Sequence, residues 1–390
     1  MVTDREIKRG KSDNMEQFEI IIPTIFGMES FVRNELKKLG YEVSSVEDGK
    51  VTFLGDEQAI CRANIGIRTG ERVLIKVAEF SAVTFDELFE ATKALDWSRW
   101  IGKNAAFPVK GFCLKSTLAS VRDCQAIIKK AVADSLSEKY GVTWLPEEGE
   151  VYQIQFSVFK DRVTLMIDTS GEGLHKRGYR AQANLAPLKE TIAAAMVMMS
   201  HWKYEYPLAD PLCGSGTIPI EAAMIKRNIA PGLKRSFAAE SFPQIPEKLW
   251  REARLMAESE IKNVPLEIFA YDIDKKTVEV AKQNAIIAGV GDAVIPSYGD
   301  VGDFSSSLSY GTVICNPPYG ERLGDKEESE KLYGIMGKRF SALDKWSYYI
   351  ITSNENFEEN FGKKASKKRK IYNGKLKCNI YQYFGPRPER

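Results

Sequence analysis

Leu208-Ala-Asp-Pro-Leu-Cys-Gly-Ser-Gly-Thr-Ile-Pro-Ile-Glu-Ala-Ala223 reads as a short strand, a glycine-rich turn and an apolar helix. Gly214 and Gly216 permit a tight turn and a close approach of a ligand to the backbone. Thr217 opens a helix whose first N–H groups have no intrahelical partner and face that ligand. No Gly-Lys-Ser/Thr follows, so the turn is not a P-loop. Pro219 stands where the dinucleotide pattern G-x-G-x-x-G needs its third glycine.

Downstream the same alternation continues. Leu266 to Asp272 is an apolar strand ending in an acid, followed by a helix from about Lys275 to Ala288, and Ala293 to Ser297 is a strand running into Gly299-Asp300. Strands alternating with helices predict an open, mostly parallel sheet, which binds ligands at the carboxyl ends of its strands. Asp210 is placed to accept from a cationic amine, which S-adenosylmethionine has and NAD lacks. Asp272 is placed to accept both hydroxyls of a ribose, and Asp300 suits an adenine amino group.

The next strand, Tyr310 to Cys315, stops in Asn316-Pro-Pro-Tyr319. A Pro-Pro pair continues neither a ladder nor a helix, so the chain leaves the sheet as a rigid extended loop. This loop suits alkylation of an exocyclic base amine, whose lone pair is delocalised into the ring. Two acceptors, the Asn316 side-chain oxygen and the Pro317 carbonyl, can bind the two N–H groups and turn that lone pair out of conjugation. Tyr319 can stack on the base. Cys213 and Cys315 flank the site and raise a cysteine-nucleophile alternative, but neither has an activating cation beside it.

Upstream, Phe18 to Ile22 and Val51 to Leu54 are strands around a helix from Ser30 to Leu39. A second α+β unit holds a strand at Arg72 to Phe80, a helix at Thr84 to Leu95, a strand at Gly111 to Leu114 and a helix at Asp123 to Lys139. Strands at Tyr152 to Phe159 and Arg162 to Asp168 complete it, joined by a short hairpin connection. The expected organisation is a disordered leader at 1–14, an N-terminal unit at 15–58, a second unit at 59–170, a linker at 171–186 and the α/β domain at 187–390. Lys115 and Arg122 lie before a helix N-terminus and are candidate RNA-phosphate contacts. Arg177 and Arg180, in the basic connector, are further candidates.

The chain has 390 residues, enough for two or three domains, and a net charge of +2. From Phe361 onward there are ten Lys and Arg against one Glu, so this piece carries +9 and the remainder −7. Such a piece is a possible phosphate-binding face. No apolar run has membrane-spanning length and no secretory signal opens the chain, so a cytoplasmic location is expected. The six cysteines form no C-x-x-C pair and there are only two histidines, so no metal is expected.

On Asp210-Pro-Leu-Cys-Gly-Ser-Gly-Thr217, Tyr271-Asp-Ile-Asp274, Asn316-Pro-Pro-Tyr319, the Ala186-Pro-Leu-Lys-Glu-Thr191 helix start and the Asp123-Cys-Gln-Ala-Ile-Ile-Lys-Lys130 helix, the chain resembles the THUMP-domain RNA methyltransferases. It is most similar to the bacterial branch of large-subunit ribosomal RNA guanine-N2 methyltransferases. The resemblance implies a ferredoxin-like unit, a THUMP region that captures structured RNA, and a Rossmann-like domain whose seven-stranded sheet ends in an antiparallel hairpin. It implies S-adenosylmethionine as methyl donor, held by Asp210, Cys213, Gly214, Gly216, Thr217, Asp272, Ile273, Asp300 and Asn316. Asn316, Pro317, Pro318 and Tyr319 are implied as the catalytic loop, and 23S rRNA or a large-subunit precursor as partner. A transfer-RNA guanine-N2 enzyme, a DNA adenine methyltransferase and an RNA-binding assembly factor with little methyl transfer are the alternatives.

Overall fold

The computed structural model describes residues 17–180, 188–320, 325–374 and 376–387. The expected leader lies outside them, as do residues 181–186 of the expected linker and residue 187 of the expected α/β domain.

The N-terminal half forms one seven-stranded sheet. Its elements are β1 (Phe18–Pro23), α1 (Glu29–Lys38), β2 (Val43–Glu47), β3 (Lys50–Gly55), α2 (Glu57–Gly66), β4 (Leu74–Ser81), α3 (Phe85–Lys93), β5 (Val109–Leu114), α4 (Val121–Tyr140), β6 (Ile154–Phe159) and β7 (Arg162–Asp168). The strand order is β2-β3-β1-β4-β7-β6-β5. β1 is flanked by β3 and β4, both antiparallel to it, so α2 and β4 complete the βαββαβ unit that β1 begins. The boundary expected near residue 58 would cut this unit, and we place the division after Ser81 instead. The helix ends follow local chemistry. Thr84 and Glu87 form a capping box on α3, Ser120 caps α4, and Gly141, at φ +62°, closes it.

The C-terminal half contains α5 (Glu190–Ser200), β8 (Leu208–Asp210), α6 (Thr217–Lys226), α7 (Glu247–Ser259), β9 (Ile268–Asp272), α8 (Lys275–Ala288), β10 (Val294–Tyr298), β11 (Thr312–Cys315), α9 (Asp325–Ser341), β12 (Ser347–Thr352), α10 (Phe357–Phe361), β13 (Lys367–Asn373) and β14 (Leu376–Tyr383). The sheet order is β10-β9-β8-β11-β12-β14-β13. β10 to β12 are parallel, and β14 and β13 close the edge as an antiparallel hairpin. β8 and β11 are fully buried three- and four-residue runs, as expected for parallel strands covered on both faces. The order reverses at β8, which places a crevice between the ends of β8 and β11.

The segment between α6 and β9 packs with the other half of the molecule. Phe237, Phe242, Ile245 and Trp250 join the core built by Ile20, Phe53, Ile60 and Phe156. Phe242 stacks on Tyr152 with ring centroids 4.0 Å apart, and Gln244 accepts from the Tyr152 hydroxyl at 2.9 Å. This segment is a strut between the two halves. Among the described residues no helix is long and apolar enough to cross a membrane.

Candidate functional site

β8 delivers Asp210 into the interior, where it is only 1% exposed and accepts from the Leu212 N–H at 3.1 Å. Burial pushes its carboxyl well up, and the negative charge of nearby Asp272 adds to the shift. The turn that follows is built as its glycines require. Gly214 and Gly216 have φ +52° and +82°, and a Cβ on Gly216 would approach Ala281 Cβ at 3.1 Å. A Cβ on Gly214 would meet nothing within 4 Å, so the turn keeps open space on that side. Gly216 caps α6, whose first turn contains no acidic side chain. Its N–H groups face the turn with the partial positive charge of a helix N-terminus. Buried Asn284, reaching in from α8, donates to the Ser215 carbonyl at 2.9 Å and fixes the turn from below.

Asp272 ends β9 beside this turn. One of its oxygens accepts from the Gly214 N–H at 3.0 Å and the other from the Asp274 N–H at 2.9 Å. Each oxygen keeps a further lone pair for a ligand hydroxyl. Ile273 is exposed next to it. Asp300, after β10, is exposed and caps a short turn through the Gly302 N–H at 2.7 Å. Cys213 and Thr217 are buried in the turn, and burial pushes both the Cys213 and Cys315 thiols well up. Neutral thiols are poor nucleophiles, which removes support for a cysteine mechanism.

β11 ends at Cys315, and Asn316 to Tyr319 leave it without regular structure. The Tyr319 hydroxyl donates to Asn316 Oδ1 at 2.6 Å, so a half-buried tyrosine sets the orientation of the amide. The Tyr333 hydroxyl, from α9, donates to the Pro318 carbonyl at 2.7 Å and lies 3.2 Å from the hydroxyl of buried Thr352 on β12. Sequence reading passed over Asn284, Tyr333 and Thr352, each held to the loops by tertiary contact. The only signal was the polar Thr352 ending an apolar Tyr-Tyr-Ile-Ile run.

The candidate RNA contacts divide. Lys115 and Arg122 are both exposed at the N-terminal end of α4. Arg177, expected to face RNA, is instead 2% exposed. Its guanidinium pairs with Glu221 at 3.3 Å and donates to the Leu174 and Arg68 carbonyls at 2.6 Å each. Arg180 likewise turns inward, pairing with Glu190 at 3.0 Å and donating to Thr217 Oγ1 at 2.8 Å behind the glycine turn. Both are corrected to structural cations. Each faces a carboxylate on a buried helix, and a buried carboxylate requires such a partner.

A parallel sheet with its crevice at β8, a second strand ending in a carboxylate, and no phosphate-gripping lysine at the first turn is the arrangement of the Rossmann-like methyltransferases. The cofactor they share, S-adenosylmethionine, fits the open space at Gly214 and the free lone pairs of Asp272, and it is the cofactor of this protein. The RMKL-like methyltransferase domain matches residues 177–382, the RlmL ferredoxin-like domain residues 19–74, and the THUMP domain residues 82–168. The chain belongs to the RMKL-like methyltransferase family. It is 49% identical over 380 residues to YpsC of Bacillus subtilis (strain 168), named as a candidate RNA methyltransferase, covering 96% of this chain and 98% of that protein. A Listeria monocytogenes structure titled as a sequence-inferred N6-adenine-specific DNA methylase superposes with a TM-score of 0.89. It is 49% identical and covers 95% of this chain and 97% of its own. SMU.472, a candidate methyltransferase solved in complex with SAH, is 41% identical with a TM-score of 0.88, covering 96% of this chain and all of its own.

Proposed function

We propose that this protein methylates an exocyclic base amine in RNA, with guanine N2 of 23S rRNA as the target. The observation that carries the reading is the Asn316 amide, fixed by the Tyr319 hydroxyl at the carboxyl end of β11, across the crevice from the glycine turn. The THUMP match and the name of the Bacillus relative support RNA as substrate. The ferredoxin-like match supports the large-subunit branch.

S-adenosylmethionine supplies an electrophilic methyl group when bound. This chain's residues do the rest by position. Asp272 would receive the ribose hydroxyls and Asp300 the adenine amino group, and the Gly214 to Thr217 turn would hold the methionine part. Asn316 Oδ1, with one lone pair held by Tyr319, offers the other to the target N–H, and the Pro317 carbonyl accepts the second N–H. The amine lone pair would thereby be turned toward the bound methyl donor, and orientation of this kind supplies much of the acceleration in a transfer that needs no protein nucleophile, the amine's surplus proton passing to solvent. The target base must leave its helix or be unpaired to arrive there.

Tyr319→Phe keeps the ring and removes the hydroxyl. It is expected to lower kcat about 2–10-fold with little change in RNA KM, the scale of one net hydrogen bond. Tyr319→Ala is expected to raise KM as well, because the stacking surface goes with it. Equal kinetics for Tyr319→Phe and the parent would remove the orienting role of the hydroxyl. Asp272→Ala is expected to weaken S-adenosylmethionine binding about 10–100-fold in calorimetry, since it removes charge-assisted hydrogen bonds and frees the Gly214 N–H. A parent protein that binds RNA but takes up no S-adenosylmethionine would instead support the assembly-factor alternative.

A further inference from the structure

The basic C-terminal piece is not absorbed by the site described above. Several of its charges are engaged within the fold. Lys368 pairs with Glu358, Lys377 pairs with Glu355 at 3.1 Å, and Lys363 lies over the rings of Tyr348 and Tyr383. Arg369 reaches into the N-terminal half, where it donates to the Gly27 carbonyl at 2.9 Å and lies over Phe31, 5.6 Å from the ring centroid.

Lys370 is placed differently. It is exposed, and its ammonium sits 5.3 Å from the ring centroid of Tyr372, which is itself 40% exposed. On the other side of the Gly27 junction Phe26 is 52% exposed. A Cβ on Gly27 would lie 3.8 Å from the Lys370 carbonyl, so the turn after β1 abuts the hairpin here. Two exposed aromatic rings and one exposed cation therefore flank a contact that joins both halves of the molecule.

Sheet register locates this junction relative to the reaction site. Cys315 is level with Ile350, Tyr381 and Lys368 across β12, β14 and β13. Three inter-strand steps separate β13 from β11 by about 14 Å, and the four residues from Lys368 to Tyr372 carry the hairpin about 13 Å past that level. β13 runs in the same direction as β11, so its tip rises on the side where Asn316 lies. A few nucleotides of single strand bridge such a distance.

We propose that Phe26, Lys370 and Tyr372 form a docking surface for the single-stranded RNA flanking the target nucleotide. The proposal rests on the RNA methyltransferase reading above. Withdrawing a base from its helix unstacks its neighbours, and single-strand binders meet such bases with aromatic faces and their phosphates with lysines. A peptide adding a strand to the edge of β13 is a poorer fit, because the lysine-rich strand opposes edge pairing and Gly27 abuts its backbone at Lys370.

The test uses the full-length protein and protein-free large-subunit rRNA from cells lacking it, with binding measured at several salt concentrations. Tyr372→Ala and Phe26→Ala are each expected to weaken RNA binding about tenfold, whereas Tyr372→Phe stays within about twofold of the parent. Lys370→Ala is expected to reduce the slope of log affinity against log salt by about 1. S-adenosylmethionine binding and the unfolding midpoint serve as controls for folding, and both are expected to stay unchanged. Ultraviolet crosslinking of the parent is expected to mark Phe26 or Tyr372. If the parent methylates RNA while all three alanine variants bind it as the parent does, this surface is refuted and the reading beneath it stands. If the parent neither binds nor methylates RNA, both fall.

Discussion

Asn316→Ala is expected to reduce methyl transfer about 100–1000-fold while leaving S-adenosylmethionine affinity within a few-fold of the parent. The magnitude is that of removing one preorganised polar partner of a transition state. Asn316 Oδ1 is already bonded to the Tyr319 hydroxyl at 2.6 Å, so no reorganisation is needed when the amine arrives. Asn316→Asp separates charge from shape. It keeps an acceptor at the same place, but introduces a carboxylate where the Tyr319 hydroxyl and the target amine both donate. Its activity is expected to lie between those of the parent and the alanine variant. Single-turnover kinetics with bound cofactor distinguish this account from a folding defect, and an Asn316→Ala enzyme with parental turnover would refute it.

The second large effect is on stability. Arg177→Met is expected to destabilise the protein by about 3–5 kcal/mol in chemical denaturation, because it strands the Glu221 carboxylate in the interior. Glu221 is fully buried on α6, and its charge is met by the Arg177 guanidinium at 3.3 Å and the Tyr179 hydroxyl at 3.2 Å. The same guanidinium holds the Arg68 carbonyl of the N-terminal half, so the variant also loosens the joint between the halves. Arg177→Met combined with Glu221→Gln is expected to recover part of the loss, since the stranded charge is then gone. A loss below about 1 kcal/mol for the single variant would mean that water replaces the arginine without difficulty.

These two sites show what was legible in the sequence. Asn316 sits at an abrupt change from a buried apolar run to Pro-Pro, and the glycine turn lies between an apolar strand and an apolar helix. Both are local patterns of few residues, written by backbone geometry. Arg177 shows the opposite case. In the chain it belongs to a basic, glycine-containing connector of the kind normally found on a surface. Its burial depends on Glu221, 44 residues later. The available clue was Glu221 itself, one charge in the otherwise apolar run Ile218 to Ala223, where a buried carboxylate needs a cation.

The strut between α6 and β9 was illegible for a similar reason. Trp250 announces a helix with an apolar face, but nothing near it in sequence says that the face covers a core built more than 80 residues earlier. The division between the first two units was hidden too. β4 follows α2 after a short connection, and only its antiparallel pairing with β1 shows that it completes the first unit.

The most direct test is transfer of labelled methyl from S-adenosylmethionine to total RNA from a strain lacking the protein, followed by size fractionation and nucleoside mass spectrometry. The account predicts N2-methylguanosine in large-subunit rRNA, abolished by Asn316→Ala. N6-methyladenosine, or label confined to transfer RNA, would contradict the proposed target. The absence of label in naked RNA and in precursor particles alike would contradict RNA methylation itself.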